Sequence, residues 1–168
     1  DRGRGVLLDP GGVHLFSRVV TAVSRFISVD KIDTIFFSHQ DPDVSSGIAL
    51  WLGITKAKVY ISDLWVRFLP HFGIVDTARV VGIPDKGMDI ALPSGSRMRC
   101  VPSHFMHSPG QFGLFDERSG ILFTGDTNRT KRPLSATLTT TFRSLGVFTR
   151  AIWRQTKSCA AGPNRFAA

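Results

Sequence analysis

The sequence predicts an α/β layered domain, and three observations carry that prediction. Apolar strand-type runs alternate with helical periodicity up to about residue 84, a series of short strand-type segments follows to residue 126, and the composition suits a packed core. With 168 residues, 42% apolar and 20% charged, the chain has the make-up of an ordinary globular domain and enough length to bury one core.

Val6-Leu7-Leu8 forms a short apolar strand that stops at the turn sequence Asp9-Pro10-Gly11-Gly12. Val13, Phe16, Val19, Val20, Val23, Phe26 and Ile27 recur at three- and four-residue spacing and predict an amphipathic helix from Val13 to Ile27. The β-branched and aromatic run Thr34-Ile35-Phe36-Phe37 suits a buried strand, with His39 opening the loop behind it. Ser45 or Ser46 caps a helix running through Leu52 to Gly53. Lys58 to Ile61 is the next strand, and Asp63 to Phe68 a short helix. Beyond Pro84, strands are expected around Met88 to Leu92, Arg97 to Val101, Gln111 to Phe115 and Gly120 to Thr124, divided by Gly, Pro, Ser and Asp turns.

The formal charge of +8 is unevenly placed. Residues 1–126 hold all 13 acids and 13 of the 21 basic residues, which leaves that part neutral. Residues 127–168 hold Arg129, Lys131, Arg132, Arg143, Arg150, Arg154, Lys157 and Arg165 and no acid. The expected organisation is therefore a domain over 1–126 and a basic tail over 127–168, and only that tail has the charge to bind a polyanion such as nucleic acid. No run approaches the roughly 20 apolar residues that cross a bilayer. DRGRG leads straight into a short strand with no long apolar segment, so a cytoplasmic protein is expected. Cys100 and Cys159 lack metal-type spacing and are expected to be reduced.

Three fragments carry the chemistry: Ser38-His39-Gln40-Asp41-Pro42-Asp43, His107-Ser108-Pro109-Gly110, and Gly125-Asp126 at the end of an apolar run. Pro42 biases Asp41 toward extended backbone, where alternate side chains share a side, so His39, Asp41 and Asp43 are expected to converge. The first fragment alone fits equally well an Asx-type turn with a solvent-facing histidine. His107 before a Ser-Pro-Gly turn and Asp126 at a strand end add donors at the crevice where open α/β sheets place ligands. Two imidazoles and three carboxylates suit a divalent first-row metal.

SHQDPD, HSPG and LFTGD, in that order, resemble the metallo-β-lactamase superfamily, and within it the oxygen-binding di-iron proteins related to flavodiiron proteins. The similarity covers about residues 6–126. The resemblance implies a four-layer αββα sandwich, present here as a partial metallo-β-lactamase-like fold, with earlier strands and later segments of the family cut away at both ends. It implies that His39, Asp41 and His107 hold a first metal, that Asp126 bridges two metals, and that Asp43 serves the second. The zinc hydrolase pattern reads His-x-His-x-Asp-His; here Asp41 and Val44 replace two of those histidines, which hardens the site and favours iron over zinc. Two ferrous ions would take dioxygen as their ligand.

This chain has histidines only at 14, 39, 71, 104 and 107, so the family's histidine beyond the bridging carboxylate is missing and the second metal is expected to bind weakly. His104 is expected to be structural or to orient His107, His14 and His71 to be surface or structural residues, and Asp9 to form a turn or accept a hydrogen bond from a ligand-bearing segment. Trp51, Trp65 and Phe68 read as core or site-wall residues. A shifted reading frame is expected to account for the acid-free tail. Read two bases later, the codons of Val147 to Ala160 permit Phe-His-Ala-Arg-Tyr-Met-Ala-Ser-Asn-Lys-Val-Leu-Arg, which resembles a family segment beyond the bridging carboxylate.

Three functions follow as expectations. The first is a non-haem di-iron protein that binds or reduces oxygen, an oxidoreductase if active. The second is a zinc or iron hydrolase of the same superfamily, taking a small-molecule substrate and using metal-bound hydroxide. The third is a non-catalytic polyanion-binding protein acting through the tail. Catalytic residues beyond the metal ligands are not identified, no membrane partner is expected, and a homodimer stays open.

Overall fold

Two four-stranded sheets face each other across one apolar core in the computed structural model, which describes residues 1–126. The first sheet is wholly parallel and runs in chain order: β1 (Gly5–Leu8), β2 (Ile32–Phe36), β3 (Lys58–Ser62) and β4 (Val80–Ile83). The second is an antiparallel meander of β5 (Met88–Ala91), β6 (Arg97–Pro102), β7 (Phe112–Asp116) and β8 (Ile121–Phe123). Parallel neighbours need crossover connections, and helical segments supply them. These are α1 (Phe16–Ser24), α2 (Pro42–Ser45), α3 (Ile48–Ile54) and α4 (Asp63–Val66).

Strand alternation explains the layering. Phe36 and Ile83 of the first sheet pack with Ile90, Met98, Cys100, Phe112 and Leu114 of the second, flanked by Val6, Leu8 and Tyr60. Leu7, Ile35, Val59 and Ile61 occupy the alternate positions and are buried as well, as a parallel sheet covered on both faces requires. The helices bury Val23, Ile48, Trp51 and Leu52, and Phe16 meets the Trp51 ring edge-on at 5.1 Å. On the outer side of the second sheet Asp89, Arg97, Arg99 and Glu117 form an exposed ladder of ion pairs, with Arg99 reaching Asp89 at 3.1 Å and Glu117 at 2.8 Å. The α/β class is as expected, and the described residues supply three layers, αββ, of the αββα arrangement. The basic tail over residues 127–168 lies outside the described residues.

Several boundaries differ from the sequence expectation. The predicted helix over 13–27 begins with a 3-10 turn at Val13–Leu15 and closes near Ser24, where the N–H groups of Phe26 and Ile27 both bond to the Val23 carbonyl. The helix predicted from a Ser45 or Ser46 cap through Leu52 begins instead at Ile48 with Gly47 as its N-cap, and the short α2 precedes it. β4 has no counterpart in the sequence reading, because Gly82 interrupts a four-residue run; a Cβ at that position would crowd the Asp63 side chain. Cys100 is free and buried, and burial pushes its thiol up to about 12. Among the described residues no helix is long and apolar enough to cross a membrane.

Candidate metal centre

β2 ends at Phe36, and the chain then crosses the carboxyl edge of the parallel sheet as Phe37, Ser38 and His39, all buried. His39 is 1% exposed; its Nδ1 lies 2.8 Å from Ser38 Oγ, while Nε2 is buried with no hydrogen-bond partner. A buried polar nitrogen left unpaired costs about 1–3 kcal/mol, so this one marks a place for a ligand. Asp41 Oδ2 lies 3.5 Å from that nitrogen and 2.9 Å from His107 Nε2. The extended geometry that Pro42 imposes holds at Asp41, whose ψ is 136°. The expected alternation stops there, because Pro42 opens α2. Asp43 falls in the first turn of that helix and is exposed.

The second sheet brings the remaining donors. His107 sits in the β6–β7 connection, its ring set edge-on to His39 with centroids 4.9 Å apart. The loop is docked on the first sheet's side by the Trp65 indole N–H, which donates to the Pro109 carbonyl at 3.1 Å. Asp126 follows β8, and donor atoms of His39, His107 and Asp126 all lie within 4.8 Å of one another. Of the five predicted residues, the structure thus gathers His39, His107 and Asp126, places Asp41 against both imidazoles, and leaves Asp43 outside that group. Two histidines with a carboxylate on one side of a metal position form the arrangement used by non-haem iron proteins, and here a second carboxylate is within reach. The partnerless His39 nitrogen and this nitrogen-and-oxygen donor set fit such a metal.

Asp9 serves as an acceptor, as expected. It follows β1 with φ at 41°, and its two carboxylate oxygens accept the Ser38 N–H and the Ser38 hydroxyl, each at 2.7 Å. Withdrawal from solvent pushes the Asp9 carboxyl up; the Ser38 hydrogen bonds and nearby His39 oppose the rise, and Asp126 adds to it. His104 is structural, with Nε2 3.0 Å from the Asp85 carbonyl and its ring against Phe112. His14 and His71 are exposed, Trp51 is core, and Phe68 packs beside Trp65.

Three supporting residues escaped the sequence reading. Gln40 accepts from Ser108 Oγ at 3.1 Å and donates to Asp41 Oδ1 at 3.3 Å, tying the two histidine-bearing loops together. Gln111, fully buried, donates to the carbonyls of Thr124 at 3.1 Å and Asp126 at 2.9 Å, which fixes the backbone that presents Asp126. An amide beside an apolar strand was the one available signal for Gln111, because glutamine is seldom buried unpaired.

The geometry has solved counterparts. The apo-state structure of chemotaxis sensor ODP from T. denticola is 84% identical over the aligned region, with a TM-score of 0.70, and the match covers 75% of this chain and 52% of that chain. A structure of chemotaxis sensor ODP titled as its peroxy diiron species matches with 84% identity and a TM-score of 0.69, again over 75% and 52%. Rubredoxin oxygen:oxidoreductase from the anaerobe Desulfovibrio gigas shares the fold at 16% identity, with a TM-score of 0.64 over 73% of this chain and 30% of that one. The chain spans about half the length of the ODP structures it matches. No curated protein matches it. The pattern of one family, described as ODP family beta lactamase, runs over residues 1–159, and the chain belongs to that family.

Proposed function

We propose that this chain is a non-haem iron protein that binds dioxygen, with His39, Asp41, His107 and Asp126 as the protein ligands and Asp43 as a further ligand to a second, weaker ion. The observation that carries the reading is His39 Nε2, enclosed by protein, without a partner, and turned toward the position that Asp41, His107 and Asp126 share. The 84% identity to a sensor described as holding a diiron species supports iron as the metal and dioxygen as its ligand. Bound iron would supply the electrons and open positions that dioxygen needs. The protein's part is to present two imidazoles and two carboxylates from separate loops. His39 closes the buried side, while the more exposed His107 and Asp126 leave the opposite side open to a small ligand.

Metal content and the optical spectrum after anaerobic purification test this. Iron bound at one or more ions per chain, with an absorption band that changes on exposure to air, is the expected result. Colourless zinc in its place would move the assignment to a hydrolase of the same fold, and a chain without metal would overturn the metal-centre reading.

A further inference from the structure

We propose that Asp9 is a positioning residue for this centre: acting through the Ser38 hydroxyl, it holds His39 in the Nδ1–H tautomer, so that Nε2 presents a lone pair to the metal position before any metal arrives. The proposal rests on the metal-centre reading above. Its basis is a proton count along three groups. A serine hydroxyl has one proton. Asp9 Oδ2 accepts it at 2.7 Å, while Asp9 Oδ1 accepts the Ser38 backbone N–H at 2.7 Å and so fixes the serine from two directions. With its proton committed, Ser38 Oγ offers only lone pairs to His39 Nδ1, 2.8 Å away. That contact is a hydrogen bond only if Nδ1 carries the proton, and a neutral imidazole then has none on Nε2. If the carboxylate were lost, the hydroxyl would be free to turn and donate to Nδ1, which puts the proton on Nε2 and blocks metal binding. At 1% exposure, His39 has no solvent to correct the error.

Two features of the backbone accompany this relay. Asp9 stands at φ 41°, in the left-handed region that aspartate enters more readily than most residues with a side chain, and Ser38 engages both of its carboxylate oxygens there. On the far side, Gly125 has φ 61°, and a Cβ there would lie 2.5 Å from Ser38 Oγ and 3.6 Å from Asp9 Oδ2. The segments that follow β1, β2 and β8 thus meet at one serine, next in sequence to His39 and against the glycine that precedes Asp126.

Nitrogen NMR of the isotopically labelled, metal-free 168-residue chain at neutral pH reads the tautomer, with His39 assigned from a His39→Gln variant. The expected result is Nδ1–H in the wild type and in Ser38→Thr, and a mixture or Nε2–H in Ser38→Ala and Asp9→Asn. A wild-type ring protonated on Nε2 overturns the proposal even if no variant folds. Chelator competition with Fe(II) under anaerobic conditions supplies the second readout. Affinity is expected to fall about 10- to 100-fold in Ser38→Ala and Asp9→Asn, and to be kept by Ser38→Thr. Undiminished affinity in Ser38→Ala overturns the proposal. A wild type that binds no iron overturns instead the metal-centre reading, and the two failures are separated because the tautomer is measured without metal.

Discussion

His107 Nε2 and Asp41 Oδ2 stand 2.9 Å apart, although one belongs to the antiparallel meander's loop and the other to the parallel sheet's crossover. A metal held by His107, as proposed, would lie within reach of Asp41, which with Val44 separates this site from the zinc pattern. Asp41→His restores the imidazole of that pattern, so the zinc-to-iron ratio bound from an equimolar mixture is expected to rise. Asp41→Ala is expected to lower iron affinity by at least about tenfold. Metal analysis of the three proteins checks both, and an unchanged ratio in Asp41→His would remove Asp41 from the proposed ligand set.

That substitution was legible in the sequence because His39, Asp41 and Pro42 are neighbours, and Pro42 dictates the backbone between them. The strands were legible for a similar reason: Ile35 to Phe37 and the spaced short runs beyond Pro84 are local patterns. Gln40 with Ser108, and Gln111 with Asp126, are contacts between distant or differently folded segments, and no periodicity announces them. Asp43 lies on a helical turn and not on the extended segment expected of it, and one local fact accounts for the difference. A proline that biases the residue before it toward extended geometry is also a favoured first residue of a helix, and α2 begins there.

Gly125→Ala puts a methyl group against Ser38 at a backbone angle that alanine disfavours. Loss of about 1–3 kcal/mol of stability is expected from the left-handed conformation and the contact together. Urea unfolding of the metal-free protein measures it. A change below about 0.5 kcal/mol, the range of an ordinary surface substitution, would mean that the strand ends are not locked together.

Cys100 lies between the sheets, and its thiol is pushed up to about 12 from an ordinary value of 9.0, chiefly by burial and then by Asp89. Above pH 9 the unfolded chain releases this proton and the folded one keeps it, so the native state binds more protons and stability falls as pH rises from 9.0 toward about 12. The slope approaches about 1.4 kcal/mol per pH unit at most. Comparing pH-dependent unfolding of Cys100→Ala with the parent, both in a Cys159→Ser background, isolates it; equal slopes would refute the assignment. Native Cys100 is also expected to resist thiol reagents until the core opens.

For the tail we propose an origin in a shifted frame, which makes a prediction about nucleotides. The last base of Ile152 with the first two of Trp153 can encode only Met or Leu, and the surrounding codons are expected to spell Arg-Tyr-Met and Ser-Asn when read two bases later. Sequencing the gene decides this, and a second frame without that string would end the idea. If the tail instead acts as a polyanion-binding element, affinity for nucleic acid should fall steeply with salt and vanish on deletion of residues 127–168.

The four proposed ligands come in two pairs, each mounted on a different sheet. An ion seated among them would act as a cross-link, joining residue 39 to residue 126 through a bond that the backbone does not make and closing a long loop of chain. Occupancy would then be readable as mechanical cohesion: melting temperature would climb with free metal concentration by mass action, and the two sheets would separate more readily once the ion is withdrawn.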